Sequence, residues 1–175
     1  MRKLSESVWM DIHKRSTKEF DRRENLPGNL AFLKPVDMGG SVLWADVDFE
    51  YNDKSYFTYT DLEKILDDTP WRIPTEEEAL ELENGNKIDS DKDTIWFDSG
   101  QNKLVFGRKG YYHGFVDNMY PETFESPAYY YGWTSNDSGM MTSCKRSYVI
   151  DGINIRIFPR NKKLDKLPVR LVKSK

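Results

Sequence analysis

Alternating carboxylates occupy the segment Asp89-Ser90-Asp91-Lys92-Asp93, and a calcium-binding loop begins with this spacing. The later positions of such a loop do not follow. Thr94 stands where the loop requires glycine, and Gly100 stands where it requires a bidentate glutamate. The segment therefore predicts a solvated loop, with calcium as the less favoured alternative. We predict no metal site and no other cofactor.

The chain has one cysteine, Cys144, and two histidines, His13 and His113. They give no zinc-ligand spacing, and a single cysteine forms no intramolecular disulfide. A Cys144 nucleophile would need His113 as its base, but Thr142-Ser143-Cys144-Lys145 matches no nucleophile motif. Many pairs of acids could be drawn for glycoside hydrolysis, and nothing in the sequence selects one. We predict no catalytic residue and no enzymatic activity.

Aromatic residues crowd the region between residues 111 and 133, which has the composition of long loops. Aromatic side chains in loops supply rigid contact area for binding. The alternative, equally open, is that alternate tyrosines fill the core. The candidate recognition residues are Tyr111, Tyr112, His113, Tyr120, Tyr129, Tyr130 and Trp133.

The first residues predict a short helix, because Leu4, Val8 and Ile12 are spaced to line one face, with Trp9 beside them. A helix of this length is marginal alone in water, so it must pack on its own domain or dock on a partner. Residues 17–29 are highly charged and close on Pro-Gly, which is typical of a linker. We therefore expect a docking segment over residues 1–35 and a folded domain over residues 36–175.

The pattern changes along that domain from helices to strands. Two capping boxes, Thr60-Asp61-Leu62-Glu63 and Thr75-Glu76-Glu77-Glu78, predict two short helices. Residues 41–49 end in alternating apolar and acidic residues, which is typical of a strand with one buried face. Short strands follow residue 94, including a hairpin that turns at Asp151-Gly152. Early helices and late strands predict an α+β fold.

Several sequence blocks resemble the Fibrobacter succinogenes major paralogous domain family. Val36-Asp37-Met38-Gly39-Gly40-Ser41-Val42-Leu43-Trp44-Ala45 resembles its opening block. Trp71-Arg72-Ile73-Pro74-Thr75, which leads into a Glu-rich helix, resembles its most characteristic one. Weaker matches at residues 104–111, 130–135 and 167–173 come in the family's order. The resemblance implies a C-type-lectin-like α+β domain with two short helices, small antiparallel sheets, long loops and chain ends joined in one sheet.

The sequence departs from the family at two places. The family's longer loop between its first two blocks is missing, and Leu171 replaces its closing proline. The formylglycine-generating enzymes, which are similar by fold, need a pair of active-site cysteines. Because only Cys144 is available, the sequence argues against their oxidation chemistry.

The N-terminal segment, residues 4–16, resembles a Ser-Val-Trp-x-Asp-Ile leader of proteins from crAss-like Bacteroides phages. This resemblance implies a virion protein whose first residues anchor a lectin-like domain to the particle. Leu4, Val8, Trp9 and Ile12 are the predicted docking residues.

Charge and hydropathy limit the partners. The 26 Lys and Arg residues against 29 Asp and Glu give a net charge of −3, and no nucleic-acid motif accompanies the basic C-terminal part. No secretion signal or apolar membrane span is present. We expect a non-enzymatic structural or interaction protein, made in the host cytoplasm and placed in a phage virion as a capsid-decoration or fibre-associated component. Its partners would be other virion or capsid proteins, and homo-oligomers are compatible with this role. The alternative is a carbohydrate-binding adhesin that uses the tyrosine-rich loops.

Overall fold

The computed structural model describes residues 26–116, 120–139 and 141–175. Within these ranges the chain forms two α-helices, eleven β-strands and one 3-10 turn at Leu30–Phe32. The helices are α1 (Tyr59–Ile65) and α2 (Glu76–Glu81). The strands are β1 (Pro35–Asp37), β2 (Val42–Ala45), β3 (Lys87–Ser90), β4 (Thr94–Asp98), β5 (Lys103–Gly107), β6 (Tyr111–His113), β7 (Thr123–Glu125), β8 (Tyr130–Asp137), β9 (Cys144–Ile150), β10 (Ile155–Asn161) and β11 (Val172–Ser174).

The strands of this described part form small antiparallel sheets, in the orders β1-β2-β11, β3-β4-β5 and β8-β9-β10, with a two-stranded ribbon of β6 and β7. In the first sheet β2 is central, so that Trp44 pairs with Val36 on one side and with Val172 on the other. Early and late parts of the sequence therefore meet in one sheet. The predicted α+β class is confirmed.

The capping-box pattern in the sequence predicted the start of α2 correctly. Thr75 Oγ1 accepts a hydrogen bond from Glu78 N at 3.2 Å, and Glu78 Oε2 accepts one from Thr75 N at 2.8 Å. This reciprocal pair satisfies amide donors that the first helical turn leaves free. Arg72 also donates to both carboxylate oxygens of Glu78, at 2.6 and 2.8 Å. The predicted capping box is confirmed in both of its bonds.

The predicted start of α1 at Thr60 is wrong by two residues. The N-cap is Thr58, whose Oγ1 accepts a hydrogen bond from Asp61 N at 3.2 Å. Thr60 instead donates its hydroxyl to the carbonyl oxygen of Lys162 at 3.2 Å. A tertiary contact thus occupies the hydroxyl that the sequence pattern assigned to the cap.

The strand predicted over residues 41–49 is shorter, and its later half departs from the expected alternation at Val47 and Asp48. Regular pairing ends at Ala45. Val47 is 50% exposed, whereas Asp48 is 6% exposed and Phe49 is fully buried. The Asp48 side chain enters the core because it pairs there with the buried guanidinium of Arg170.

Two adjoining clusters of buried side chains form the core. One surrounds Trp71 and Trp133 between α1 and the segment 167–171, and the other surrounds Trp44 between α2 and the three-stranded sheets. Burying each such aromatic side chain stabilises the fold by about 1.5–3 kcal/mol. Trp96, in contrast, lies only partly buried on β4, with the Lys103 ammonium 4.1 Å from its ring.

The segment before β1 packs on this core. Leu30 and Leu33 are 2% and 8% exposed and belong to the cluster around Trp71. The domain boundary at residue 35 stays a prediction. The predicted N-terminal helix lies outside the described residues.

A charged network crosses the middle of the domain. Arg170 Nε donates to Asp48 Oδ1 at 2.8 Å, and the Lys109 ammonium lies 2.9 Å from Asp48 Oδ2. Tyr130 also donates its hydroxyl to Asp48 Oδ1 at 3.1 Å. Burial acts to raise the pKa of Asp48, but the charges of Arg170 and Lys109 outweigh it and hold the pKa below its usual value. The carboxylate is therefore kept ionised inside the fold.

Candidate functional site: an aromatic ribbon and its groove

The ribbon of β6 and β7 carries three of the seven candidate recognition residues, namely Tyr111, Tyr112 and His113. Its register pairs Tyr111 with Glu125, Tyr112 with Phe124 and His113 with Thr123. Because side chains alternate along a strand, Tyr111 and His113 share one face and Tyr112 lies on the other. The two faces have different roles.

The Tyr111 face fixes the ribbon to the domain. Tyr111 donates its hydroxyl to Glu125 Oε2 at 2.7 Å, and Arg160 Nη1 donates to the same hydroxyl oxygen at 2.9 Å. The Arg160 guanidinium also lies 4.1 Å from the Tyr111 ring centre. Burial, and then the hydrogen bond to Glu125, raise the pKa of Tyr111 to about 12. The same hydrogen bond lowers the pKa of Glu125. Tyr111 is thus a neutral donor between two charged groups.

His113 adds a second attachment on this face. Its Nδ1 lies 2.7 Å from Asp165 Oδ1, and Asp165 is only 3% exposed. Asp165 Oδ2 accepts a hydrogen bond from the backbone N–H of Asn161 at 2.9 Å. This pair ties β6 to the turn that follows β10.

The nucleophile pair considered from the sequence is not assembled. The partner of the His113 imidazole is Asp165. The Cys144 sulfur lies 3.9 Å from the Ser143 hydroxyl oxygen, at the start of β9. Within the described residues, the histidine and the cysteine thus have separate partners.

The Tyr112 face carries an aromatic cluster at the surface. The Tyr112 ring centre lies 4.9 Å from that of Tyr56, nearly perpendicular to it, and 5.1 Å from that of Phe124. Tyr56 is oriented by its hydroxyl, which donates to the carbonyl oxygen of Lys109 at 2.8 Å. Phe124 is 48% exposed. Edge-to-face pairs of this kind hold rings in defined orientations.

A groove of about 600 Å³ opens beside this cluster. Tyr112, Tyr56 and Tyr51 line it together with residues of α1. Its rim is a two-residue hairpin in which Tyr51 and Lys54 exchange backbone hydrogen bonds of 3.1 and 3.0 Å. Asn52 and Asp53 take φ values of 50° and 59° there, which suits asparagine and aspartate. The rim is therefore a short, defined turn.

The groove carries charges of both signs in balance. Its lining lysines are Lys54, Lys64 and Lys166, and its lining acids are Asp53, Asp61 and Glu122. Lys166 pairs with Glu122. Asp61 and Lys64 project from α1 and are exposed. A lining that combines ring faces with hydrogen-bond donors and acceptors suits a polar, hydroxyl-bearing ligand.

The other predicted recognition residues lie apart from the groove. Tyr130 and Trp133 are at most 1% exposed in the core, where Trp133 Nε1 donates to the carbonyl oxygen of Phe57 at 2.9 Å. Tyr129 is 36% exposed and lies near Tyr131. Tyr120 is 64% exposed, with its ring centre 5.6 Å from that of Phe115. The docking residues Leu4, Val8, Trp9 and Ile12 lie outside the described residues.

Sequence reasoning missed the groove residues Tyr56, Lys64 and Lys166. Tyr56 and Lys166 come beside Tyr112 only through tertiary pairing, in which Lys166 and Tyr112 exchange two backbone hydrogen bonds of 2.9 Å. A local signal did exist for the rim, because Asn52-Asp53 between Tyr51 and Lys54 is suited to a tight hairpin.

The segment with calcium-like spacing is a hairpin turn. Asp91 Oδ1 accepts hydrogen bonds from the backbone N–H groups of Asp93 and Thr94, at 2.8 and 2.7 Å. This carboxylate therefore closes the connection between β3 and β4. Across residues 26–116, 120–139 and 141–175, no group of three or more His, Cys, Asp or Glu side chains is arranged to hold a metal ion.

Comparisons with known protein families, proteins and structures identify no relative of this chain. Neither a scan against models of protein families nor searches among curated proteins and solved structures found a match to this chain. In the described part of the chain, none of the helices is both long and apolar enough to span a bilayer. The family resemblance and the lectin-like fold therefore stay predictions.

Proposed function

We propose that this chain is a non-enzymatic interaction protein of a phage virion, in which a C-type-lectin-like domain presents a binding groove and the N-terminal segment docks on another virion or capsid protein. The observation that carries the binding role is the groove beside Tyr112, which this residue lines from a ribbon that is fixed to the domain by its opposite face. A surface held in this way binds with little loss of conformational entropy. The role is capsid decoration or fibre association.

The path of the chain through the first sheet supports the lectin-like assignment. β2 pairs with β1 on one side and with β11 on the other, while both helices and the other strands come between β2 and β11 in sequence. Two short helices, small antiparallel sheets and ends joined in one sheet are the features that the family resemblance implies.

The chemistry of the ionisable groups supports a non-enzymatic role. Asp165 is the partner of His113, and its carboxylate also accepts backbone hydrogen bonds. Glu125 is occupied by the Tyr111 hydroxyl. These acids are used to attach the ribbon to the domain, so their positions serve architecture.

The leader resemblance at residues 4–16 supports the virion role, and substitution in the full chain tests it. We expect wild-type protein to capture one abundant partner from purified particles, and a Val8→Glu, Trp9→Ala variant to lose that partner. A Lys18→Ala variant in the charged linker serves as control. If the Val8→Glu, Trp9→Ala variant captures the same partner as the wild type, anchoring through these residues is wrong.

A second candidate function is carbohydrate binding in the groove. A sugar ring can place its C–H face against Tyr112, while Asp61 accepts and Lys64 donates hydrogen bonds to hydroxyl groups. The balanced charge of the lining favours a neutral sugar. The specific observation behind this candidate is the combination of Tyr112 with exposed, opposite charges on α1.

A glycan array probed with the full chain, with calcium and with a chelator, tests this second function. We expect binding in both conditions, and we expect Lys64→Ala and Tyr112→Ala to weaken it. Lys163→Ala is the matched control, because Lys163 is exposed but does not line the groove. An empty array, or equal binding by Lys64→Ala and Lys163→Ala variants, would count against a sugar site here.

A further inference from the structure

We propose that Asn84 is a site of spontaneous deamidation, at which the folded protein slowly acquires an additional negative charge. Asn84 and Gly85 lie in the turn between α2 and β3, and both are exposed. The reaction requires the backbone nitrogen after an asparagine to reach the side-chain carboxamide. Glycine offers the least steric hindrance to that approach, since it has no Cβ.

The local geometry leaves both reacting groups free. Gly85 has a φ of 78°, and no atom of a residue beyond its two chain neighbours lies within 4 Å of the place where a Cβ would stand. In the part of the chain that the structure describes, neither the Asn84 carboxamide nor the Gly85 N–H has a hydrogen-bond partner. The turn is held instead by the neighbouring Asn86, whose Nδ2 donates to the carbonyl oxygens of Leu82 and Met38, at 3.0 and 3.2 Å.

The chemistry needs only water. The Gly85 backbone nitrogen loses its proton and bonds to Cγ of Asn84, and the carboxamide nitrogen leaves as ammonia. This forms a five-membered succinimide. Water then opens either of its two carbonyl groups, which yields aspartate or isoaspartate at position 84. One water is consumed and one ammonia is released, with no oxidant or reductant.

Two other places in the chain have one of the two residue types that the reaction needs, but their reacting groups are held by hydrogen bonds or by a bulky neighbour. Asp151-Gly152 has the glycine, but Asp151 Oδ1 accepts hydrogen bonds from Ile153 N and Asn154 N at 2.8 and 3.0 Å. A Cβ on Gly152 would lie 2.9 Å from the Ser90 hydroxyl oxygen. Asn154 is exposed, but the next residue is β-branched Ile155, whose N–H donates to Glu83. Asn154 is therefore an internal control for Asn84.

The product alters a tethered turn. A carboxylate at position 84 lies at the carboxyl end of α2, where the helix dipole disfavours negative charge. Isoaspartate also lengthens the main chain by one methylene between α2 and the Asn86 tether. We expect the modified form to be more acidic and less stable than the original protein.

Incubation of the full-length protein in mildly alkaline buffer made with heavy-oxygen water tests this proposal. Tryptic peptides 73–87 and 147–156 separate Asn84 from Asn154, and fragmentation separates Asn84 from Asn86. We expect heavy oxygen to enter position 84 about ten-fold faster than position 154, because Gly85 lacks the side chain that Ile155 carries. An acidic form should accumulate on ion exchange, with isoaspartate in the 73–87 peptide.

An Asn84→Gln variant provides the matched control, since the longer side chain would have to close a larger ring. We expect it to form no isoaspartate in the 73–87 peptide and to accumulate acidic species several-fold more slowly than the wild type. Equal label at positions 84 and 154 would overturn the proposal. So would an acidic species that accumulates in the Asn84→Gln variant as fast as in the wild type, because the main reactive group would then be elsewhere.

Discussion

Arg170 donates its Nε hydrogen to Asp48 Oδ1 across 2.8 Å, and the two side chains are only 3% and 4% exposed. The other guanidinium nitrogens donate to the carbonyl oxygens of Ala45, Asp46 and Val105. One side chain near the end of the sequence thus joins the segment after β2 to β5. Its hydrogen bonds satisfy backbone acceptors that would otherwise be buried without partners.

Removal of this cation should destabilise the fold strongly. We expect Arg170→Met to lower the free energy of unfolding by about 3–5 kcal/mol, because Asp48 is left in the core without its main counter-charge. Denaturant-induced unfolding of variant and wild type gives the difference. Lys87→Met is the control, since its 3.9 Å pair with Asp89 lies at the surface and contributes about 0–1 kcal/mol.

A combined Asp48→Asn, Arg170→Met variant completes this test. With both charges removed, we expect the loss to be smaller than the sum of the two single losses, because no unpaired charge remains. Additive losses would show that the two side chains act independently.

Acid should weaken the same region. A carboxyl group whose pKa is lower in the folded protein than in the unfolded chain stabilises the fold above its unfolded pKa, which is about 3.9 for Asp and about 4.3 for Glu. That contribution is lost as the pH falls through the folded pKa. The pKa values of Asp48 and Glu78 are both lowered, where charged partners and hydrogen bonds outweigh the effect of burial.

We therefore expect the free energy of unfolding to hold between neutral pH and about pH 5, and to fall below about pH 4. Denaturant titrations across this range measure it. Asp48→Asn should show a lower stability at neutral pH and a shallower fall in acid. An unchanged slope would mean that Asp48 does not contribute to acid sensitivity.

Gly132 on β8 should not tolerate a side chain. Its φ lies outside the left-handed region, so backbone strain is not the reason. A Cβ would instead clash with the buried Tyr148 ring, because it would lie 2.3 Å from the nearest ring atom. We expect Gly132→Ala to cost about 1–3 kcal/mol through overpacking. Gly107→Ala is the matched control, because its nearest neighbour is the flexible Lys109 side chain at 3.4 Å. Equal losses in the two variants would contradict this reading of the core.

Loss of the N-cap of α2 should reduce the stability of the fold by a smaller amount. Thr75→Ala removes the hydroxyl that accepts the Glu78 N–H, and we expect a loss of about 1 kcal/mol in unfolding free energy. Thr75→Ser keeps the acceptor and should retain most of that stability. Thermal and denaturant unfolding of the two variants distinguish the contribution of the capping hydroxyl to stability from that of the Thr75 methyl group.

Features fixed by neighbouring residues were predictable from the sequence. The capping box at Thr75, the strand around Phe97 and the β9–β10 hairpin all depend on contacts within a few residues. The predicted two-residue turn at Asp151-Gly152 is wrong in length, because Ile150 pairs with Ile155 and the loop covers residues 151–154. The position of Asp48 was not predictable, because its partner Arg170 is 122 residues away. The alternating pattern indicated Val47 as the inward residue, and the distant guanidinium reverses that choice.

In the candidate site, too, features set by neighbouring residues were predictable and features set by distant contacts were not. Tyr112 was identified from its aromatic surroundings, but Tyr56 and Lys166 reach it only through long-range contacts. Tyr130 and Trp133 belong to the same aromatic pattern in sequence, yet they are buried. The pattern cannot separate a core tyrosine from a surface tyrosine, because both satisfy the same local spacing.

The central position of β2 has a mechanical consequence. β1 begins beside Ala45 at one end of β2, and β11 ends beside Val42 at the other end. A tension that draws the outer ends of β1 and β11 apart acts along the strands, while the hydrogen bonds of the sheet lie across them. The hydrogen bonds along each flank of β2 are then loaded together in shear, so the bonds within one flank must break together. A pulling experiment on this domain should therefore meet a single high rupture force at this sheet, instead of a gradual unzipping.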